Sequence, residues 1–445
     1  MLIDFYVQNF ASFNSKQELS MIASTSTKEG YNLENIKSVD AFGIKSVLKS
    51  AALFGANASG KSNLANALAS FKSIILGSLE SISEKTIDSA VPFLLKENAF
   101  DQPTEFEVTF LSNENMYRYG ISIKEGEIVE EWLYWTKNVR ETLLFHREKQ
   151  TVSFNQRSFP EAKFFVKREG ELWNIEKTKP FIPFISVLSQ FDGEKSVTVT
   201  EWFSKLNVIS GLTNSQFKLF TTELFEEDLR FKDWALKVLD SLQINGIEVS
   251  EVENKTAFPN GKNKLKDTDL NNALNATQGF LGKNKIKEKR IEIIKKDSKT
   301  GRLFTFPLSL ESEGTKKLIH LLGPLYEAIK KEEILIIDEF DNKFHTLLCK
   351  YFIKLYNRSN SGNSQLILTC HDTNLLDKDL FRRDQIWFVE KNDNHESEIY
   401  SLVEYKEHYT RKDSSYSKDY LAGKYGAIPL FSSLSDLGEI LNGQG

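Results

Sequence analysis

A glycine-rich loop between an apolar stretch and a helix-forming stretch offers the clearest chemistry in the sequence. The residues Gly55-Ala56-Asn57-Ala58-Ser59-Gly60-Lys61-Ser62 fit the pattern of a glycine, four residues, and then Gly-Lys-Ser/Thr. Residues 47–54 before the loop suit a buried strand, and residues 64–69 after it are rich in alanine and leucine, which favour a helix. In this arrangement backbone N–H groups surround a polyphosphate at the helix N-terminus. The stretch predicts an ATP site, against the alternative of a chance glycine-rich turn.

Individual residues of this loop have predictable roles. Gly55 and Gly60 allow the backbone to come closer to a phosphate than a Cβ atom would permit. Lys61 is predicted to reach the outer phosphates, and Ser62 to place its hydroxyl on a magnesium ion. The expected nucleotide-binding residues of the loop are Gly55, Asn57, Ser59, Gly60, Lys61, Ser62 and Asn63.

A second apolar stretch, far downstream, ends in two carboxylates. Residues 334–337 are consecutive aliphatic residues, which is typical of a strand buried on both faces of a parallel sheet, and Asp338 and Glu339 follow them. Asp338 is predicted to hold the magnesium ion through water, and Glu339 to accept a proton from the attacking water. The alternative is a core strand that ends in a solvated acidic turn.

Length and composition limit the classes of protein to consider. The chain has 445 residues, enough for roughly two to three domains, and a net charge of −5, so any nucleic-acid surface must be local. The two cysteines, Cys349 and Cys370, fall in predicted core elements, which indicates reduced thiols and a cytoplasmic protein. The sequence contains neither a signal-like N-terminus nor a window of roughly 18 apolar residues, so no membrane partner is expected.

Periodicity organises the rest of the chain. The predicted strands and helices are an antiparallel meander over 104–110, 117–123 and 128–135, helices over 197–206 and 223–242, and later strands over 365–370, 386–390 and 399–405. We expect an α/β fold in three parts, in which residues 1–145 and 301–445 form the two halves of a nucleotide-binding head with an antiparallel side sheet. Residues 146–300 are expected to form an inserted, largely helical lobe.

A basic run lies at the end of this insertion. Residues 283–302 contain nine Lys or Arg and three Asp or Glu. Such a run is most often a solvated hairpin, and the other interpretation is a local surface for nucleic-acid phosphates or a protein partner.

The motifs in this order resemble the ABC-type ATPase heads of SMC-like and recombination-repair proteins. The resemblance covers roughly 1–145 and 300–410, and adds a signature-like segment, Leu308-Ser309-Leu310-Glu311-Ser312-Glu313-Gly314-Thr315, and a strand that ends in His371. It implies that two heads sandwich two ATP molecules, that Ser312 and Gly314 contact the ATP of the other subunit, and that His371 senses the γ-phosphate. Glu313 departs from the commoner glycine. The structural alternatives are an ordinary helix cap at Ser312 and a turn residue at His371.

More narrowly, the chain resembles the AAA-family ATPases of phage-resistance operons, of the abortive-infection AbiL and RloA kind. The resembling stretches are 311–318, 383–391 and 420–429. The last two have no evident catalytic logic, and a glycine- and proline-rich turn packed on the sheet accounts for the final one. The head resemblance also places Asp341 in a dimer-contact loop.

Two functions remain open at this point. The first is a sensor ATPase of an anti-phage system, whose ATP-driven dimerisation controls a separately encoded effector, a nuclease or toxin, because the chain after His371 is expected to be too short for a nuclease domain. The second is an SMC-like repair or maintenance ATPase that acts directly on DNA. The basic run favours the second, whereas the acidic net charge and the lack of coiled-coil heptads oppose it.

Overall fold

The chain folds into two compact units. The computed structural model describes residues 1–25, 32–77, 84–210, 215–253, 287–405 and 415–429. One unit comprises Met1–Thr213 and Glu327–Gly445, and the other Asn214–Tyr326. The division of the chain at residues 145 and 300 stays a prediction.

A six-stranded sheet lies at the centre of the first unit. Its strands, numbered along the whole chain, are β5 (Ser50–Phe54), β13 (Leu206–Ser210), β17 (Ile334–Asp338), β18 (Gln365–Thr369), β19 (Ile386–Lys391) and β20 (Ser397–Ser401). Their order is β13-β17-β18-β5-β19-β20, with every neighbouring pair parallel except β19 and β20. The carboxyl ends of the parallel strands therefore share one edge, which is where open α/β sheets bind ligands.

A nine-stranded antiparallel sheet forms the other layer of this unit. Its strands are β1 (Leu2–Gln8), β2 (Gln17–Ser20), β6 (Thr104–Ser112), β7 (Asn115–Lys124), β8 (Glu127–Thr136), β9 (Glu141–Glu148), β10 (Thr151–Phe154), β11 (Val166–Glu169) and β12 (Leu172–Ile175). A separate hairpin pairs β3 (Ile36–Ala41) with β4 (Ile44–Leu48). The combination of an α/β sheet and an antiparallel side sheet is the predicted fold class. The observed antiparallel sheet is longer than the predicted three-stranded meander, because β9 to β12 continue it through residue 175.

Helix α1 (Lys61–Gly77) joins the two sheets. It contacts β13 and β17 on one side. On the other side, Phe71 stacks on Phe106 and Tyr119 of the antiparallel sheet, with ring centroids 5.3 and 5.8 Å apart. Burial of these apolar surfaces is the main force that holds the sheets together. The helix that follows the nucleotide loop is thus anchored in the core.

Four further helices lie wholly within the described part of this unit. They are α2 (Phe184–Gln190), α3 (Glu194–Ser204), α7 (Thr346–Ser359) and α8 (Tyr416–Leu421). The helix predicted over 197–206 ends two residues early, because Leu206 begins β13 and pairs with Ile334 of β17. Sheet pairing here overrides the local helical pattern.

A fully buried ion pair connects the antiparallel sheet to α2. Arg147 Nη1 lies 3.2 Å from Glu131 Oε2, and both side chains are 0% exposed. The Glu131 carboxylate also accepts hydrogen bonds from the backbone N–H groups of Phe184 and Ile185, at 2.7 and 2.9 Å. The guanidinium of Arg147 donates to the carbonyl of Ile182. The segment that leads into α2 therefore supplies partners to both members of the pair.

Replacing Arg147 with methionine is expected to lower the free energy of unfolding by about 3–5 kcal/mol, because Glu131 would stay buried without its cation. Urea denaturation measures this loss. The matched control is Arg118→Met, which breaks a half-exposed pair with Glu107 and Glu141 and should cost about 1 kcal/mol or less. Equal losses in the two variants would contradict the role given to the buried pair.

The second unit combines helices with a small antiparallel sheet. It contains α4 (Ser215–Glu227), α5 (Leu229–Leu239) and the strands β14 (Gly246–Glu253), β15 (Lys287–Lys296) and β16 (Leu303–Pro307), and α6 (Glu313–Lys331) begins in it. The single helix predicted over 223–242 is broken at Asp228. The Asp228 side chain accepts hydrogen bonds from Arg230 N and Phe231 N and so starts a new helix.

The basic run occupies β15 and its turn. Lys289 pairs with Glu226, and Lys295 pairs with Glu311, each at 2.5 Å. Residues 283–286 lie outside the described residues. In the part that is described, these pairs favour the hairpin interpretation over a surface for phosphates.

The last family-like stretch packs on the edge of the six-stranded sheet. The Tyr425 carbonyl accepts hydrogen bonds from the hydroxyls of Tyr400 and Tyr405, at 2.7 and 2.9 Å. Phe388 of β19 stacks on Tyr420 and Tyr425. The stretch is thus a turn packed on the sheet, as its composition indicated. Among the described residues, no helix has the length and apolar character needed to cross a membrane.

Candidate active site

One cavity of about 740 Å³ opens at the carboxyl edge of the six-stranded sheet. Its size suits a small-molecule ligand. It is lined by Asn57, Ala58, Ser59, Gly60, Lys61, Ser62, Asn63, Glu339, Asp341, Asn342, His371 and Lys391. Residues far apart in sequence thus meet at one site because they lie at or just after the carboxyl ends of β5, β17, β18 and β19.

The loop after β5 is wrapped tightly around its glycines. Gly60 has φ +111°, and a Cβ atom there would lie 2.3 Å from Ser397 Oγ. A Cβ atom on Gly55 would lie 2.2 Å from the carbonyl oxygen of Val389. Ser59 Oγ is buried and has no hydrogen-bond partner in the described part of the chain. The loop therefore offers backbone N–H groups and the unbonded Ser59 hydroxyl, which suit the phosphates of a nucleotide.

Lys61 is a buried cation at the start of α1. Its Nζ donates to the carbonyl oxygens of Gly55 and Ala56, at 2.8 and 2.9 Å. Burial lowers the pKa of Lys61 to about 8, against the opposing effect of Asp338. The lysine is therefore held at the loop by two neutral carbonyls, which an incoming phosphate can replace.

The serine and aspartate predicted to hold magnesium are in direct contact. Ser62 Oγ donates to Asp338 Oδ1 at 3.1 Å. Thr369 Oγ1, at the end of β18, donates to the same carboxylate oxygen at 2.5 Å and accepts from Glu339 N at 2.7 Å. Thr369, at the end of β18, thus fixes the Asp338 carboxylate and the backbone of Glu339 at the end of the neighbouring strand β17, a function that the sequence did not reveal.

Glu339 sits in a constrained backbone position. Its φ is +51°, in the left-handed region that residues with a side chain rarely adopt. Asn342 Nδ2 donates to Glu339 Oε2 at 3.3 Å. The turn directs the carboxylate into the cavity, where it is placed to accept a proton.

His371 lies exposed on the cavity wall after β18. Partial desolvation by the surrounding protein, together with the positive charge of the nearby Lys61, lowers the pKa of its imidazole. Asp341 Oδ2 accepts hydrogen bonds from the backbone N–H groups of His371, at 2.8 Å, and Asp372. Asp341 therefore positions the histidine turn within its own subunit, whereas the resemblance placed it in a dimer contact, which stays a prediction.

Sequence reasoning missed the residues that brace the loop. Ser397 Oγ donates to Ser59 O at 2.6 Å and lies 2.7 Å from Ser12 Oγ. Asn63 Nδ2 also donates to Ser12 Oγ, at 2.8 Å. Segments near the N-terminus and near the C-terminus thus meet behind the loop. No local sequence pattern predicts this contact.

The signature-like segment belongs to the second unit. Ser312 Oγ accepts a hydrogen bond from Thr315 N at 3.2 Å, which makes Ser312 the cap of α6. Glu313 pairs with Lys316 one turn along the same helix. Gly314 lies in this first turn. Ser312 therefore caps the helix, as the structural alternative predicted. Its contact with the ATP of a second subunit stays a prediction.

The residues present fit a magnesium nucleotide. Among the described residues, no group of three or more His, Cys, Asp and Glu side chains could enclose a metal ion. Magnesium seldom needs such a group, because it is bound by one or two protein ligands, waters and substrate phosphates. Ser62 and Asp338 supply two such ligands side by side.

Comparison with known proteins places the chain in a family. It is similar to solved structures entitled "SMC head domain from Thermotoga maritima" (15% identity, TM-score 0.41, 90% of this chain and 98% of that chain covered) and to a Smc head domain from Pyrococcus furiosus (14% identity, TM-score 0.36, 90% and 96% covered). No curated protein sequence matches it. The profile of the family described as "AAA domain, putative AbiEii toxin, Type IV TA system" matches residues 50–377. This match spans most of the sequence, and the chain belongs to that family of AAA ATPase domains.

Proposed function

We propose that the chain is a cytoplasmic ATP-hydrolysing sensor of an anti-phage, abortive-infection defence system. The observation that carries the proposal is that Lys61, the Ser62–Asp338 pair and Glu339 meet at the same cavity. Lys61 would bind the outer phosphates, and Ser62 and Asp338 would hold Mg²⁺, which supplies Lewis-acid stabilisation of the phosphate charge. Glu339 would accept the proton of the attacking water, and His371 would contact the γ-phosphate.

ATP-driven dimerisation is the second part of the proposal. Ser312 and Gly314 start a helix, and a helix N-terminus is suited to bind the γ-phosphate held by a second copy of the chain. Exposed apolar residues precede this helix, since Leu310 is 73% and Phe304 46% exposed. Leu303 and Phe306 of the same segment are also exposed, and a group of exposed apolar residues is typical of a protein contact surface. They support a contact surface close to the signature-like segment.

Control of a separate effector is the third part. The family description names a type IV toxin–antitoxin system, and a system of two components supports a separately encoded protein partner. The alternative, a repair ATPase acting directly on DNA, rested on the basic run. Lys289 and Lys295 of that run are paired with carboxylates, so the observation that favoured it is weakened.

Purification together with the products of the neighbouring genes tests this function. We expect a stoichiometric protein partner whose binding differs between the ATP-bound and nucleotide-free chain. The control is the chain expressed alone and titrated with duplex DNA at low and high salt. Tight, salt-sensitive DNA binding by the chain alone, with no protein partner, would instead establish the alternative.

A further inference from the structure

Lys391 is a residue of the cavity to which neither the motifs nor the family assigns a role. It ends β19 and lines the same cavity as the nucleotide loop. The backbone of β19 lies against the loop, because the Val389 carbonyl occupies the place of a Gly55 side chain. Phe388 is level with Phe54 in the parallel pair, so Lys391 is level with the middle of the loop that follows β5.

The order of the strands gives the cavity two distinguishable sides. Asp338 ends β17, Glu339 follows it, and His371 follows β18, which is next to β5 on one side, whereas β19 is next to β5 on the other side. Ser62 Oγ bonds to Asp338, so the magnesium ligands face that side. Mg²⁺ held by Ser62 and Asp338 would neutralise charge on the terminal phosphates of a nucleoside triphosphate. A nucleotide bound in this way would have its terminal phosphates toward β17 and β18 and its nucleoside end toward β19.

Lys391 differs from Lys61 in its environment. Lys61 is buried and bonded to two carbonyls, whereas Lys391 is exposed. No carboxylate in the described part of the chain forms an ion pair with Lys391. Its neighbour across the hairpin, Ser397, is fixed by its hydrogen bond to Ser59 O. The strand pair that carries Lys391 is thus hydrogen-bonded to the loop through Ser397, while the Lys391 ammonium group is available to bind an anion.

We infer that Lys391 binds the α-phosphate, the phosphate nearest the nucleoside, of nucleoside di- and triphosphates. It would act as a second cation beside Lys61, on the β19 side of the loop. This inference rests on the proposed function, because it assumes that the cavity binds a nucleotide. It assigns Lys391 to binding and leaves the chemistry at the γ-phosphate to Glu339. The α-phosphate is common to ATP and ADP, so both ligands should depend on Lys391 to the same degree.

Calorimetric titration of ATP and ADP into the full chain tests the inference. Lys391→Ala is expected to weaken both ligands by the same factor, about tenfold, as for the loss of one charge-assisted hydrogen bond. KM for ATP should rise by a similar factor with kcat nearly unchanged, and Lys391→Arg should restore most of the affinity. The matched control is Lys45→Ala, an exposed lysine of β4 outside the cavity, which should leave both affinities at the wild-type level.

The possible results distinguish a wrong role for Lys391 from a wrong proposed function. If Lys391→Ala binds both nucleotides as tightly as Lys45→Ala does, the inference is wrong and the proposed function stands. A loss that affects ATP much more than ADP also overturns it, because Lys391 would then act on the γ-phosphate. A wild-type chain that binds neither nucleotide overturns the proposed function itself and the inference with it.

Discussion

Replacement of Glu339 with glutamine is expected to abolish ATP turnover while ATP affinity stays close to that of the wild type. Glutamine keeps the shape of the side chain and can still bond to Asn342, but it cannot accept a proton. Loss of a general base should lower kcat by on the order of 10²–10⁴-fold. Phosphate release and calorimetric titration measure the two effects separately.

The same variant should also accumulate the ATP-bound dimer. Hydrolysis is expected to separate the two heads, so a chain that binds ATP without hydrolysing it remains paired. Light scattering with and without ATP would report a dimer that persists only in the variant. The control is Glu127→Gln, the same chemical change at an exposed site of β8. Normal turnover in Glu339→Gln would exclude this residue as the base.

The central strands and their terminal residues were accessible from the sequence. The aliphatic run before Asp338 and the glycine loop before Lys61 each carry their own signal, because a strand buried on both faces needs consecutive apolar residues. The meeting of these segments at one edge follows from parallel pairing. The structure confirms the strands predicted at 365–370 and 386–390 within a residue or two.

The parts that the sequence did not reveal depend on contacts between distant segments. Ser12 and Ser397 meet behind the loop although 385 residues separate them. The continuation of the antiparallel sheet was missed because Leu144 and Phe145 are both fully buried, which breaks the alternation expected of a strand. A shift in register between β8 and β9 at Leu133 and Tyr134 accompanies this irregularity.

The break between α4 and α5 could have been predicted from the sequence. Asp228 follows two glutamates within the region predicted as one helix, and an aspartate is a strong N-cap residue. Its cap separates α4 from α5. Lys391 had no such signal, since a lysine at the end of a strand looks like an ordinary surface residue, and only the order of the strands places it at the cavity.

Two inactive variants are expected to restore activity to each other when they form mixed dimers. Lys61→Ala removes the buried cation of the loop, so the variant should neither bind nor hydrolyse ATP above background. Ser312→Arg keeps that loop intact and should bind ATP nearly as well as the wild type. It should still fail to hydrolyse ATP, because the large side chain blocks the helix N-terminus offered to the other subunit.

In a mixed dimer, one site carries both defects and the other carries neither. Random exchange in an equimolar mixture gives equal numbers of mixed dimers and homodimers, so about a quarter of the wild-type turnover should return. The recovery should require conditions that let dimers separate and re-form. The matched control mixes Lys61→Ala with Glu339→Gln. Lys61 and Glu339 of one chain line the same cavity, so these two residues serve the same ATP site. Each site of that mixed dimer keeps one defect, so no turnover should return.

The comparison of these two mixtures decides whether Ser312 acts across the subunit boundary. Recovery with Ser312→Arg and none with Glu339→Gln requires that Ser312 serves the site of the partner, since only then does a mixed dimer contain one intact site. If demonstrated mixed dimers show no recovery in either mixture, the role given to the signature-like segment is wrong, or the two sites must hydrolyse together. A structure with ATP would separate these cases, because a Ser312 hydroxyl within about 3.2 Å of the other chain's γ-phosphate would leave only coupled hydrolysis.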